Sequence, residues 1–403
     1  MRILVIHNKY RYRGGENTVV QEEMNLLESH NHTVISYMRD SGDISHFTFT
    51  EKVRLLRETS WSDQTYDDVC NLIRSAKPHI AHVHNTLPLI SPSVYYACAD
   101  MGVPVVQTLH NFRFLCPAAT FLRDGEICEK CREFNLLESV WHGCYRNSRV
   151  QSAVVAHMLH QHRKRETCNL IDAFVALTEF HRSKFIQGGL PEEKIFVRAN
   201  FTRPVQLDRQ GPGDFVLFIG RLSKEKGLST LINAWKSMPE IPLKIAGSGP
   251  MIECIATRLH KERIKHIELL GFVNSKHRTE LLARTRFLVV PSNWYEGMPT
   301  VVLEAFAAGI PVLASRIGSL AEMIRDGENG CLFEPMHEPD LCEKTRSLYK
   351  DVEKLQELGR AGKATFERLY TPHAGYSSLM KLYENVLQNR KGKLQGVASG
   401  DGG

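Results

Sequence analysis

Short apolar runs alternate with stretches of helical spacing along most of this chain, and that alternation leaves few folds open. In the first half the runs fall at 2–7, 33–38, 79–84, 103–110, 173–178 and 195–200, with helical segments such as 16–29 and 92–101 between them. Strand, helix and strand in repetition imply parallel sheets. A second series follows at 215–220, 243–247, 267–273, 287–291 and 311–315. Between the two series, residues 202–214 carry Pro204, Gly211, Pro212 and Gly213 among polar residues, which marks a linker. The sequence predicts an α/β chain of two Rossmann-like domains with parallel sheets facing a central cleft, where such proteins place ligands. The expected domains are 1–203, with a cysteine-rich insert at 113–147, and 204–369. A helix over 370–390 is expected to pack back on the first domain, and beyond residue 331 the chain reads as helical. The polar, glycine-rich tail 391–403 is expected to be disordered.

At 403 residues the chain is long for one domain, and its hydrophobic fraction of 42% is ordinary for a globular protein. No apolar run approaches the length that spans a bilayer. Met1-Arg-Ile-Leu-Val-Ile-His7 is too short and too soon polar for a signal peptide, so it reads as a first strand of a cytoplasmic protein. The formal charge of +6 suits anionic small substrates or an anionic membrane surface and requires no nucleic acid.

Residues 296–304 read Glu296-Gly297-Met298-Pro299-Thr300-Val301-Val-Leu-Glu304 and lead into an apolar run. Glu304 sits inside that run, and a buried carboxylate needs a partner. Pro299 is a good first helical residue and Gly309 a good stop. Glu296 then lies in the loop before the helix, and Glu304 lies roughly 7–8 Å along it, at ~1.5 Å per residue. Between them is a helix N-terminus with free N–H groups, a natural place for phosphate. Two carboxylates that bind hydroxyls on either side of a phosphate site match the chemistry of a nucleotide sugar.

Glycine loops supply further candidates. Gly14-Gly15-Glu16 opens a helix after the first strand, as an anion cradle or simply a tight turn. Gly220-Arg221-Leu-Ser-Lys-Glu-Lys226-Gly227 follows a strand directly. Its guanidinium and ammonium suit a diphosphate whose charge grows as it leaves. Gly247-Ser248-Gly249-Pro250 ends another strand, either lining the nucleotide pocket or merely turning the chain. Leu270-Gly271-Phe272-Val273 ends the next, with backbone available to a base. No dinucleotide fingerprint with its ribose acid is present, which disfavours an NAD oxidoreductase.

Gly-Arg-Leu…Glu-Lys-Gly, Ala-Gly-Ser-Gly-Pro, Leu-Leu-Gly-Phe-Val and the paired glutamates occur in this order and at fitting spacings. Together they resemble a GT-B glycosyltransferase of the retaining family 4, over nearly the whole chain. The resemblance implies that Arg221 and Lys226 hold the donor diphosphate. It gives Glu296 to the donor sugar, Glu304 to the ribose hydroxyls, and the backbone of residues 298–301 to sugar and phosphate. It also implies transfer with retention and no catalytic metal or other cofactor. A histidine at the end of the strand 103–110 reaches the donor sugar in such enzymes, which makes His110 the candidate. His82 and His84, in His-Val-His-Asn, read as structural. With no nucleophile evident, the family points to front-face attack, with the leaving phosphate helping to deprotonate the acceptor.

Cys116 and Cys144 flank Cys128-Glu-Lys-Cys131. The four fit a structural zinc held by thiolates, with reduced or redox-active thiols as the alternative. Residues 146–165 mix Arg146, Arg149, Arg163, Lys164 and Arg165 with apolar positions. That pattern fits either a basic amphipathic helix at a membrane or an ordinary helix with a solvated basic side. The expected activity is transfer of a sugar from a nucleotide-diphosphate donor to a glycan or lipid-linked acceptor in cell-surface polysaccharide biosynthesis. The competing classes are a sugar-nucleotide epimerase or hydrolase, and a non-catalytic nucleotide-binding scaffold.

Overall fold

Each apolar run of the first half holds a strand, and the first two strands continue past theirs to Lys9 and Asp40. The structure, a computed structural model, describes residues 1–10, 14–133, 135–204, 207 and 211–398, with side chains described as far as Arg390. In chain order the strands are β1 (Arg2–Lys9), β2 (Thr33–Asp40), β3 (Ile80–Asn85), β4 (Val105–Leu109), the hairpin pair β5 (Leu122–Arg123) and β6 (Glu126–Ile127), β7 (Ala173–Ala176) and β8 (Ile195–Val197). β4 starts later than the apolar run because Pro104 has no N–H and offers only its carbonyl, to Ala81 at 2.9 Å. β4 ends at Leu109, so His110 stands just beyond it. The sheet runs β2-β1-β3-β4-β7-β8, all parallel. Ile3, Leu4, Val5 and Ile6 are all buried, the signature of a strand covered on both faces.

The second series gives β9 (Phe215–Ile219), β10 (Leu243–Ala246), β11 (Ile267–Gly271), β12 (Thr285–Val290), β13 (Val312–Ser315) and β14 (Cys331–Phe333), in a parallel sheet ordered β11-β10-β9-β12-β13-β14. Its core gathers Val216, Leu231, Trp235, Ile245, Phe287 and Leu313. β14 corrects the expectation that only helices follow residue 331.

The chain forms two compact units. One holds Met1–Phe121, Cys128–Ala199 and Gly375–Gly403, the other Leu122–Ile127 and Asn200–Ala374. The last helix, Pro372–Ala398, places Leu379, Leu382, Tyr383 and Val386 in the core of the first unit beside Ile3, Val5 and Val106. It continues through 391–398, where a disordered tail was expected, and residues 399–403 lie outside the described residues. Residues 205, 206 and 208–210 of the expected linker also lie outside them.

The helix Arg149–Lys164 buries Val155, Ala156, Met158 and Leu159, and these pack with Cys131 and Leu136. Its apolar side is thus spent on the protein interior. Val150, on the same helix, is 64% exposed.

Candidate functional site

In the second unit the glycine loops meet at the C-terminal edge of the sheet, where parallel α/β folds bind ligands. Two glycines make the meeting possible. A Cβ on Gly247 would stand 1.8 Å from the Gly220 carbonyl oxygen, and one on Gly227 would stand 1.7 Å from that of Pro291. Both also have positive φ, +143° and +69°, which side chains rarely allow. Backbone bonds tie the loops laterally: Gly247 N to Gly271 O at 2.7 Å, Leu222 N to Ser248 O at 2.9 Å, and Asn293 N to Glu225 O at 3.0 Å. Arg221, Lys226, Gly247, Phe272, Val273 and the 296–304 segment therefore share one edge. Phe272 is 67% exposed, a ring without a protein neighbour to cover it.

Lys226 and Glu296 form the buried centre of this edge. The Lys226 ammonium donates to Glu296 Oε1 at 2.6 Å, and Ser292 Oγ donates to the same oxygen at 2.6 Å. Lys226 also lies over the Trp294 ring, 5.5 Å from its centroid. Burial alone would push the Glu296 carboxyl up. The charge and hydrogen bond of Lys226, with the Ser292 bond, outweigh that and hold it below the usual carboxylate range. Arg221 does not join this pair. It is half exposed and bonds Glu225 Oε1 at 2.8 Å, which also takes Ser223 Oγ at 2.6 Å. Arg221 and Lys226 thus each hold an acid of their own.

Glu304 lies on the helix Thr300–Ala307, one turn past its start. Pro299 is the residue before the helix rather than the first within it, and Gly309 turns the chain at φ +64°. The partner that the Glu304 carboxylate requires is Arg278, on the helix Ser275–Ala283, in a direct ion pair. Burial raises the Glu304 carboxyl, and Arg278 offsets only part of that. Met298 is buried, its sulfur 3.2 Å from the Asn200 N–H, whereas Gly297, Thr300 and Val301 stay partly exposed.

The first unit gathers histidines. His7 of β1, His82 and His84 of β3, and His110 beyond β4 form a chain of rings, with centroids 4.2 Å apart for His82–His84 and 5.2 Å for His84–His110. Burial, then the neighbouring imidazoles, lower His7 and His84 to about 4 and hold His110 well below the ordinary histidine range. Beneath them Glu23 is buried and paired with Arg198, Oε2 to Nη1 at 2.6 Å. Gly14 precedes the helix Gly15–Ser29 in ordinary extended backbone, with nothing within 4 Å of the Cβ it lacks. Glu16, one residue on, has its carboxyl pushed up to about 8 by burial.

None of the ten cysteines is in a disulfide. Cys131 is pushed up to about 12 by burial, then by the nearby thiols of Cys116, Cys144 and Cys128. They do not stand at ligand spacing. Among the described residues, the group of metal-competent atoms lying mutually within 4.8 Å is Glu23, His82 and His84.

Sequence reasoning missed Glu23, Arg198, Arg278 and Ser292. Glu23 had a signal, since it falls on the apolar face of its helix with Val19, Val20, Leu26 and Leu27. The β5–β6 hairpin had one too, in Asp124-Gly125, whose φ values are +55° and +93°. Arg278 and Ser292 had none, because only the tertiary fold brings them to their acids.

MJ1178, an uncharacterized glycosyltransferase of Methanocaldococcus jannaschii, is 33% identical over 207 residues, 51% of this chain and 58% of that protein, so the match spans less than two thirds of its length. The structure of HepE (Alr3699) from Anabaena in complex with UDP superposes with a TM-score of 0.67 at 17% identity, covering 95% of this chain and 100% of that one. Sucrose-phosphate synthase from Thermosynechococcus elongatus gives 0.71 at 15% identity, covering 96% and 99%. At such identities the likeness concerns the fold, which is GT-B. The family model for glycosyl transferases group 1 matches residues 202–365 and that for glycosyltransferase family 4 matches residues 13–204. With both halves matched in their proper order, the chain belongs to the group 1, family 4 glycosyltransferases.

Proposed function

We propose that this glycosyltransferase moves a sugar, with retention, from a nucleotide-diphosphate sugar to a glycan or lipid-linked acceptor in cell-surface polysaccharide synthesis. The observation that carries the donor is the Lys226–Glu296 pair on a glycine-lined sheet edge. An ammonium bound to a carboxylate can exchange it for a phosphate oxygen, which frees Glu296 to accept from a sugar hydroxyl. Arg221, half exposed, is free to swing from Glu225 to the diphosphate. Glu304 takes the ribose, and the partly exposed backbone at Gly297, Thr300 and Val301 meets sugar and phosphate. The leaving phosphate assists deprotonation of the acceptor in a front-face attack. HepE has been solved with UDP and with UDP-glucose, so these are the first donors to try. Incubation with a panel of nucleotide sugars and mixed glycan acceptors, following diphosphate release and the product anomer, tests this. Product of inverted configuration refutes retention. Turnover without acceptor points to a hydrolase, and no turnover with any mixture favours a scaffold.

We also propose that the protein meets an anionic membrane surface through the helix Phe49–Glu58, which buries none of its residues. Phe49, Val53 and Leu56 lie on one face, 81%, 50% and 37% exposed. Lys52 and Arg57 flank that stripe, and Glu51, Glu58 and the Arg54 that pairs with Glu58 fall on the far side. This is the charge segregation of an interfacial helix. No helix among the described residues is long and apolar enough to cross a membrane.

We further propose a structural zinc held by Cys116, Cys128, Cys131 and Cys144. Support comes from the Cys131 thiol lying within electrostatic reach of Cys116, Cys128 and Cys144 on one insert, with Cys116 and Cys131 buried. Metal binding would draw them into ligand spacing.

A further inference from the structure

In the first unit, one line of contacts runs from a buried cation to the only partly accessible histidine of the group. Arg198, just after β8, donates from Nη1 to Glu23 Oε2 at 2.6 Å and is held by the Gly375 carbonyl at 3.4 Å. The other oxygen of Glu23 lies 3.0 Å from His82 Nδ1 and 3.5 Å from His84 Nε2. His84 Nδ1 is 2.9 Å from His110 Nε2. Arg198, Glu23, His82 and His84 are buried, and His110 is partly exposed. Glu23, His82 and His84 are close enough for a metal ion, yet the Arg198 guanidinium already neutralises the carboxylate and would repel a dication.

The proton positions follow from satisfying the buried atoms. His82 already has partners on both nitrogens, Tyr383 OH at 2.6 Å and Thr108 Oγ1 at 2.7 Å. Glu23 Oε1 and His84 Nε2 are both buried without a well-aligned hydrogen bond, and they face each other. A proton on His84 Nε2 serves both atoms. A proton on Nδ1 instead would set two lone pairs against one another in a dry interior. His84 Nδ1 is then an acceptor, so His110 must donate from Nε2. That leaves the lone pair of His110 on Nδ1.

We propose that Glu23, held by Arg198, is a positioning residue that fixes the tautomer of His110 through His84, so that His110 meets its ligand only as a hydrogen-bond acceptor. The ligand chemistry follows, resting on the glycosyltransferase assignment above. His110 Nδ1 accepts from a hydroxyl of a neutral sugar. It disfavours a uronic acid whose carboxylate would put lone pairs against its own.

The test begins with the free protein labelled with 15N-histidine, in which pyrrole-type and pyridine-type ring nitrogens resonate far apart. The His110 signals are assigned by their loss in His110→Gln. The expected result at neutral pH is a protonated Nε2 and a bare Nδ1. A protonated Nδ1 overturns the proposal without any appeal to activity. Glu23→Gln and His84→Phe should each give a mixture of His110 tautomers, and an unchanged spectrum in both, with the fold intact by circular dichroism, also overturns it. In turnover, Glu23→Gln should lower kcat/KM about tenfold for the preferred neutral sugar and much less for a deoxy donor lacking the contacted hydroxyl. An equal loss for both donors would make Glu23 merely structural. If no donor turns over while the tautomer is as stated, the functional assignment fails and the relay stands.

Discussion

The Lys226 ammonium and Glu296 Oε1 meet at 2.6 Å although 70 residues separate them in sequence. The two side chains are only 19% and 6% exposed, so each is the main compensation for burying the other. Lys226→Met should strand the carboxylate, costing about 3 kcal/mol of stability and about 10²-fold in kcat. Lys226→Met with Glu296→Leu should recover most of the stability and none of the activity. A double-mutant cycle by urea denaturation checks the coupling, and additive losses would show that the pair is not a unit.

Glu304→Gln should weaken nucleotide binding about tenfold, since a ribose hydroxyl loses a charged acceptor. The Arg278 partner makes this a sharp comparison. Arg278→Gln should leave Glu304 in place and cost less affinity. Calorimetric titration with UDP and GDP decides the matter. Equal losses of stability with unchanged affinity in both variants would assign Glu304 to the fold alone.

Glu16 should make stability fall with pH. Burial raises its carboxyl from 4.5 to about 8, offset in part by hydrogen bonds from Tyr10 and Asn111 and by the charge of Arg113. The folded state therefore holds a proton that the unfolded chain releases near 4.5. The associated stability is full below about 4.5 and lost as pH rises through about 8. Glu16→Gln has no proton to lose. Its Tm should match the native protein at pH 4 and exceed it by several degrees at pH 9. The same pH slope in both proteins would refute the assignment.

Binding to vesicles should require negative lipid and the apolar stripe. Flotation with phosphatidylglycerol vesicles should recover the protein at low salt, and phosphatidylcholine vesicles should not. Phe49→Ser with Val53→Ser should reduce recovery about tenfold with Tm unchanged, because neither side chain is buried. Equal recovery on both lipids, or no effect of the double substitution, counts against the helix as the contact.

Purified protein should carry about one zinc per chain. Cys131→Ser should release it and lower the Tm by several degrees, and a chelator should do the same to the native protein. Four titratable thiols with well under one zinc per ordered chain would leave the insert metal-free.

The sheets were legible in the sequence because buried parallel strands are unbroken apolar runs, as in Ile3–Leu4–Val5–Ile6 and Val289–Val290. Their ends were less so. Thr178 and Asn200 look like continuing strand residues, but β7 stops at Ala176 and β8 at Val197. β14 was missed because three residues carry too little periodicity to separate from the helices around them. At the site, the residue types of Glu296, Lys226 and Glu304 signalled chemistry, but their protein partners were invisible. Ion pairs between distant loops depend on how strand ends align, and no local pattern encodes that. The charged residue on the apolar face of Gly15–Ser29 was the exception, a legible anomaly whose meaning only the fold supplied.

The helix Pro372–Ala398 has a consequence for how the molecule comes into being. A ribosome delivers β1 long before Leu379, Leu382 and Tyr383, yet these side chains share one core. Until the helix Pro372–Ala398 is made, the sheet that holds β1 lacks its cover. The second unit, whose main span closes at Ala374, has all its residues before then. The unit begun earlier is the one completed later, so a chain cut short before this helix would forfeit the unit that holds β1 rather than the one that holds β9.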